Sequence, residues 1–154
     1  MLSTSKIIGS IDREVRFLSA NIDTCSARFA ASHPEAGLTI RRVPERFVLQ
    51  AKEFGVTLSF FRSRAGMDAG AEVVLTVWDG EVTFPGATPR HDRRATQVSV
   101  QQFRLTPCED ESWLWTDEAT ATTMTSLALA DACIETVAER LLRSDTTLAP
   151  EQNL

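Results

Sequence analysis

The sequence is poor in the residues that build disulfide frameworks and metal sites. Its 154 residues include three cysteines and two histidines, and the cysteines, Cys25, Cys108 and Cys133, are widely spaced. An odd number of cysteines without close pairing gives neither a disulfide scaffold nor a metal-ligand pair. No Cys-x-x-Cys or His-x-x-x-His pattern is present. We therefore expect reduced thiols, no bound metal and no other cofactor.

Long apolar runs and excess positive charge are also missing. The net charge of −5 argues against a nucleic-acid partner, and no apolar run is long enough to cross a membrane. The first residues lack the apolar core of a signal peptide, because Asp12, Arg13 and Glu14 interrupt it early. With 43% hydrophobic and 24% charged residues, the composition is that of an ordinary globular domain. These features predict a cytoplasmic protein.

A regular apolar spacing marks the first part of the chain. Between Lys6 and Ala31 the apolar residues recur in steps of three and four, which predicts one long amphipathic helix that ends before Pro34. Such a helix would be about 40 Å long at 1.5 Å per residue, more than one face of a small sheet usually needs. Its excess length suggests self-association. The residues of this seam are Ile8, Ile11, Val15, Leu18, Ile22, Cys25 and Phe29.

The middle of the chain changes to the two-residue period of β-strands. The runs 46–52 and 56–62 alternate around Gly55, which predicts a hairpin. Two further runs, 72–78 and 81–84, flank Asp79-Gly80, a dipeptide typical of two-residue hairpin turns. In that hairpin Val77 would face Val82. Strands are also predicted for 96–105 and 112–116.

The end of the chain returns to a helical period. A second amphipathic helix is predicted from about Leu127 to Arg143, with Thr125 or Ser126 as its N-cap, followed by a loose tail over 145–154. Consecutive strands without intervening helices pair antiparallel. The sequence therefore predicts a single α+β domain over 1–154, ordered from about 4 to 144. Its two layers would be one curved antiparallel sheet of five or six strands and the N- and C-terminal helices, packed on one face.

The densest cluster of charge lies in a predicted loop. Arg90, His91, Arg93 and Arg94 stand almost together, and arginine side chains bind phosphate or carboxylate with two parallel hydrogen bonds. This loop is a candidate site for an anion or an acidic partner. The alternative is a solvated loop that faces the acidic turn 109–111, which is the commoner role of such a charge run.

Aromatic residues give a second candidate site. Trp113 and Trp115 share one face of the last predicted strand, and Phe60 lies on an earlier one. Such rings fill cores, line pockets or anchor interfaces. A pocket between helices and sheet, walled by Phe60 and by Trp113 or Trp115, would be the default small-molecule site. The alternative is that at least one of the two tryptophans belongs to the core.

No set of catalytic residues can be assembled from the sequence. A cysteine nucleophile needs a base within reach, and only His33 and His91 are available. Our leading hypothesis is a non-enzymatic binding or protein-interaction domain that acts as a homodimer, with another protein or a small apolar ligand as further possible partners. The alternative is a small ligand-binding protein, or an enzyme, with an apolar cleft between helices and sheet.

Overall fold

The computed structural model describes residues 4–63, 70–82 and 95–152. In these ranges it has two long helices and a single antiparallel sheet, which confirms the predicted two-layer α+β class. The elements in chain order are α1 (Thr4–Ser32), β1 (Thr39–Val43), β2 (Arg46–Gln50), β3 (Phe54–Ser63), β4 (Gly70–Asp79), β5 (Thr96–Pro107), β6 (Trp113–Asp117), β7 (Thr123–Met124) and α2 (Ser126–Gln152).

The sheet has a simple up-and-down order. Its described part contains seven strands in the order β1 to β7, and each strand pairs antiparallel with its neighbours in the sequence. Five or six strands were predicted. The difference arises partly because β7 is only two residues long, too short to show an alternating pattern; it pairs Met124 with Trp115.

One face of the sheet and the inner sides of both helices form the core. Alternate residues of β3 and β4 are buried in it, as expected for strands with one face turned to the helices. The predicted seam of α1 supplies its centre, with Leu18 completely inaccessible to solvent. The core residues from α1, β3 and β4 are Ile11, Val15, Leu18, Ile22, Phe54, Val56, Leu58, Phe60, Ala71, Val73, Leu75 and Val77.

The two helices lie side by side and run in the same direction. Glu14 of α1 contacts Ser126 at the start of α2, and further along, Cys25 contacts Asp131. The buried face of α1 is therefore covered by the sheet and by α2 of the same chain. At about 1.5 Å per residue α1 is about 43 Å long, and its partly buried ends, at Ile7 and Phe29, also pack against this core.

The predicted hairpin at Asp79-Gly80 is wrong. β4 pairs with β3 along one edge and with β5 along the other, so Val77 lies opposite Val56 and Ser99 rather than Val82. Both edges of β4 are occupied by these two strands, so neither is free for a hairpin partner after Gly80. After Gly80 the chain instead crosses the turn between β2 and β3.

The crossing after β4 is held by one glutamine. The side chain of Gln50 donates to the carbonyl oxygens of Phe54 and Gly80 and accepts from the backbone N–H of Val82 at 2.9 Å. A Cβ at Gly55 would lie 2.6 Å from Gln50 Oε1 and 2.7 Å from a Val82 methyl group. Glycine is required at this turn because no side chain fits there.

The second helix begins where it was predicted to begin. Thr125 is the N-cap, since its Oγ1 accepts the backbone N–H of Ala128 at 3.1 Å. Ser126 uses its hydroxyl for a different contact, described below. The helix continues past Arg143 to Gln152 and so runs into the stretch that we predicted to be a loose tail. The prediction stopped at Arg143 because the apolar stripe of the sequence ends there.

Candidate functional site

Trp115 belongs to the core and lines neither of the two cavities described below. Its side chain is fully buried, and its indole N–H donates to Ser126 Oγ at 3.0 Å. Ser126 Oγ in turn donates to Glu14 Oε2 at 2.9 Å. We call Trp115, Ser126 and Glu14 the buried triad, although Glu14 is only half-buried. The triad joins β6, α2 and α1, and because each of its donors has a partner it is a structural contact.

The other predicted site residues have different positions. Trp113 is partly buried against the core and lines neither cavity described below. Phe60 is buried and is part of the lining of the first cavity described below, and its role in binding a small molecule stays a prediction. Arg90, His91, Arg93 and Arg94 lie outside the described residues, so their anion-binding role stays a prediction.

A cavity of about 500 Å³ lies between α1 and one corner of the sheet. This size is within the range of small-molecule sites, which is roughly 300–1,000 Å³. Its inner wall is buried and apolar, and its outer wall is polar. We call it the corner cavity; its lining is Val15, Arg16, Ser19, Ala20, Ile22, Asp23, Arg42, Val43, Pro44, Glu45, Arg46, Phe47, Phe60 and Arg62.

Two ion pairs hold α1 to the sheet beside the corner cavity. Arg42 of β1 pairs with Asp23, and Arg62 of β3 pairs with Asp12 at 2.8 Å. All four side chains are partly exposed, so each pair stabilises the fold by no more than about 1 kcal/mol. Their main effect is on charge, because they neutralise two of the four arginines that line the cavity.

Arg46 differs from these two arginines. Its Nε atom is buried and has no hydrogen-bond partner among the residues that the structure describes. Leaving a buried polar donor unpaired costs about 1–3 kcal/mol, and charged groups cost more. A buried donor without a partner in a native structure needs a physical explanation, and an unseen ligand is one possible kind of partner.

The turn before Arg46 is strained. Val43 pairs with Arg46, so Pro44 and Glu45 form a two-residue connection, and Glu45 has a φ of 64°. The left-handed region costs a non-glycine residue about 1–2 kcal/mol. The carbonyl oxygen of Glu45 accepts the backbone N–H of Phe60 at 2.9 Å, which fixes the turn on β3. Strain of this kind is common at ligand sites.

A second cavity, of about 450 Å³, lies near the C-terminal end of α1 and beside α2. His33 stacks on Phe29 there with 4.2 Å between ring centroids, and its Nδ1 is 3.1 Å from the Phe29 carbonyl oxygen. The wall is mostly apolar, like the cleft predicted between helices and sheet. We call it the helix-end cavity; its lining is Phe29, His33, Glu35, Ala36, Ala51, Lys52, Glu53, Phe54, Ala138, Leu141 and Leu142.

The two helix thiols are poor nucleophiles. Burial, followed by the hydrogen bond to Asp131, raises the pKa of the Cys25 thiol, whose Sγ is 3.4 Å from the Asp131 carboxylate. Burial also raises the pKa of Cys133 to about 12. Because the thiolate is the reactive form, both cysteines are suited to packing between the helices.

Metal binding and membrane crossing find no support in the part of the chain that is described. No group of three or more His, Cys, Asp or Glu residues there is arranged to hold a metal ion. Neither of its helices has an apolar stretch long enough to cross a bilayer. Comparison of the chain with models of protein families, with curated proteins and with solved structures finds no match.

No local pattern in the sequence indicates the corner cavity. Its arginines, Arg16, Arg42, Arg46 and Arg62, come from four separate segments and meet only after folding. The loop with Arg90, Arg93 and Arg94 was selected from the sequence as a candidate anion site instead, because these arginines are close together in the sequence. The one local feature of the sequence at this cavity is the turn Pro44-Glu45. Its second residue adopts a left-handed backbone, a position where glycine or asparagine is usual, and here it is a glutamate.

Proposed function

We propose that the chain is a non-enzymatic binding protein that takes a small molecule in the corner cavity. The observation that carries the proposal is the combination, in one cavity of about 500 Å³, of a buried apolar wall that includes Phe47 and Phe60 with a polar wall of charged side chains from α1 and the sheet. Ligand sites in proteins have this composition: mostly apolar, with a few polar groups that fix the orientation.

The composition of the lining favours binding over covalent catalysis. The described lining contains neither cysteine nor histidine. Nucleophilic catalysis needs a nucleophile and a base in hydrogen-bond contact, and Ser19 is the one hydroxyl in this wall. The proposal thus keeps the non-enzymatic binding function that was hypothesised from the sequence, and it adds the corner cavity as the binding site.

The test uses a blocked cavity and a matched control. Ala20 is an exposed residue of α1 at the cavity, and Ala27 is an exposed residue of the same helix outside both cavities. Ala20→Phe should close the cavity, whereas Ala27→Phe adds the same side chain elsewhere. The probes are 2-naphthoate, 2-naphthyl phosphate and 2-naphthylmethanol, measured by calorimetry and by thermal shift, since binding to the folded state raises the melting temperature.

We expect at least one naphthyl probe to bind the natural protein and the Ala27→Phe variant and to lose its binding in Ala20→Phe. Amide NMR signals of Ser19 and Glu45 should shift on binding. If no probe binds, or if Ala20→Phe binds as well as the natural chain, the proposal is wrong. Shifts centred on His33 would also contradict it, because they would move the site to the helix-end cavity.

Self-association is a second candidate property. The inner seam of α1 is occupied by its own chain, so a dimer would need other surfaces. The sheet offers exposed apolar side chains, Phe61 on β3 and Val98 and Val100 on β5, and such residues are common in interfaces when they form a patch. Light scattering at micromolar concentration tests this: a dimer that Val100→Glu dissociates supports it, and a monomer contradicts it.

A further inference from the structure

We propose that the first half of β5 is the contact surface of a homodimer, in which residues 96–102 of two copies pair antiparallel across a twofold axis and join their sheets. The proposal is independent of the corner cavity. It rests on the self-association considered above as a second candidate property, and it adds the contact surface and the register. Its observations are an open strand edge, the lack of charge along that edge, and a self-complementary sequence.

The first half of β5 has a free edge among the described residues. β5 pairs with β4 over residues 96–104, whereas β6 pairs with its other edge only over residues 103–107. The carbonyl oxygen of Gln102 accepts the backbone N–H of Glu118 at 2.9 Å, so it lies on the β6 side. Because backbone groups alternate in direction along a strand, the N–H and carbonyl of Val100 point to that same side. No described strand binds them there.

This edge is exposed and uncharged. All seven side chains of residues 96–102 are exposed, on both faces of the sheet. The segment contains three β-branched residues, Thr96, Val98 and Val100, and it has neither a charged residue nor a proline. Proteins usually protect an exposed strand edge with charged side chains, with proline or by keeping the strand short. The lack of these features favours pairing with another strand.

The outer strands of the described sheet differ from this edge. β1 has five residues, which include Arg41 and Arg42, and Pro44 follows it. β7, at the opposite side of the sheet, has only two residues. Charge, proline and short length all oppose the addition of a strand. Within the described sheet, residues 96–102 therefore form the edge that is best suited to a further strand.

The sequence of this edge identifies a second copy of the chain as the partner. Residues 97–101 are Gln-Val-Ser-Val-Gln, which reads the same in both directions. When two copies pair antiparallel around Ser99, each residue faces one of its own type. Val98 would lie opposite Val100 of the partner subunit, and the glutamines would lie opposite each other. Pairs of β-branched residues stabilise a sheet, and no like charges meet in this arrangement.

The twofold axis would lie where the regular part of β5 begins. The register with β4 shifts between Val77 and Trp78, and the pairing is regular from Ser99 to Arg104. A bulge can turn a strand edge away from a partner, and this one precedes Ser99. A cross-link at Ser99 therefore tests whether the edge is accessible to a second copy.

The cross-link uses an engineered cysteine on the axis. Ser99 would face its own copy at a pair without mutual hydrogen bonds, where the Cα atoms are about 4.5 Å apart and a disulfide fits. Ser99→Cys is made together with Cys108→Ser, which removes a half-buried natural thiol. With oxidised glutathione as the electron acceptor, we expect most of this variant to run as a disulfide-linked dimer on a non-reducing gel. Thr39→Cys in the same background, an exposed position on β1, should remain monomeric on the gel.

Two variants at Val100 test the backbone pairing. The N–H of Val100 points away from β4, so Val100→Pro removes an edge donor and keeps the hydrogen bonds to β4. Val100→Thr keeps both the N–H and a β-branched side chain. We expect Val100→Pro to raise the dissociation constant of the dimer about tenfold or more, and Val100→Thr to change it less than about threefold. Analytical ultracentrifugation measures both, and circular dichroism checks that both variants are folded.

The failures can be distinguished. A natural chain that is monomeric at micromolar concentration contradicts both self-association and this contact surface. A dimer that Ser99→Cys does not cross-link, or that a folded Val100→Pro variant leaves intact, keeps self-association but contradicts the β5 edge. If Val100→Pro does not fold, the Ser99→Cys cross-link decides alone. Ligand binding in the corner cavity is tested separately by Ala20→Phe, so its outcome does not affect this proposal.

Discussion

Two polar regions contact α1, and they differ in how far their polar groups are enclosed. In the buried triad, the indole N–H of Trp115 and the hydroxyl of Ser126 both have acceptors, ending at the carboxylate of Glu14. In the corner cavity, the ion pairs Arg42–Asp23 and Arg62–Asp12 are partly exposed and stand beside an open apolar wall. A completed network inside the protein stabilises the fold, whereas an open wall of mixed polarity is suited to a ligand. The comparison explains why Trp115 is structural and the corner cavity is the candidate site.

Both regions depend on the packing of α1, and breaking that packing should have the largest effect. Leu18 is fully buried between them. Leu18→Asp places a carboxylate in an apolar core, and we expect a loss of more than about 4 kcal/mol in the free energy of unfolding. Arg16→Asp changes an exposed position of the same helix and should cost less than about 0.5 kcal/mol. Urea denaturation measures both, and equal tolerance of the two changes would show that the buried face of α1 is misassigned.

Removing one member of the buried triad should have the next largest effect. Trp115→Phe deletes the indole N–H and leaves unfilled volume beside Ser126, so we expect a loss of about 2 kcal/mol in stability. The affinity for 2-naphthoate should not change. Unchanged stability together with lost affinity would place the triad in the ligand site and remove the distinction between the two regions.

The opposite sign is expected at Arg46. Arg46→Met removes an unpaired buried donor and keeps an apolar stem, so the free energy of unfolding should stay the same or rise by up to about 1 kcal/mol. Binding of 2-naphthoate should not change, because the alternation of β2 turns this side chain to the face of the sheet opposite Phe47. If Arg46→Met lowers the stability by more than about 1.5 kcal/mol, Arg46 is a structural residue like Trp115.

The smallest effect is expected at the strained turn. Glycine adopts φ 64° without the steric cost that Glu45 meets, so Glu45→Gly should raise the stability by about 0.5–1 kcal/mol. Glu35→Gly, at a position without positive φ, should not stabilise the protein. Thermal melting separates the two. A destabilising Glu45→Gly would mean that the Glu45 side chain makes a contact that outweighs its backbone strain.

The sequence predicted the parts of the fold that depend on local periodicity. The three- and four-residue spacing around Leu18 located α1, and the two-residue alternation located most strands. The turn at Asp79-Gly80 was misread because its dipeptide fits a hairpin, while the pairing of β4 with both β3 and β5 is a long-range property. Strand spacing likewise showed that Trp115 faces one side of the sheet, but not whether that side is core or cavity.

The candidate site was less predictable than the fold. Phe60 was predicted to line a pocket because a large ring on a strand beneath a helix suits that role, and its binding role stays a prediction. The arginines that line the corner cavity were not predicted, since they come from separate segments and meet only after folding. The pairing of Arg42 with Asp23 and of Arg62 with Asp12 also joins distant segments.

The most direct test follows two N–H signals in one NMR titration. Trp115 Nε1–H reports on the buried triad and the backbone N–H of Glu45 on the corner cavity, and both can be observed in a ¹⁵N-labelled sample while 2-naphthoate is added. We expect the Glu45 signal to shift and saturate with the binding curve, and the Trp115 signal to stay in place. A Glu45 signal that does not move while 2-naphthoate saturates the protein would contradict the assignment of the corner cavity as a ligand site.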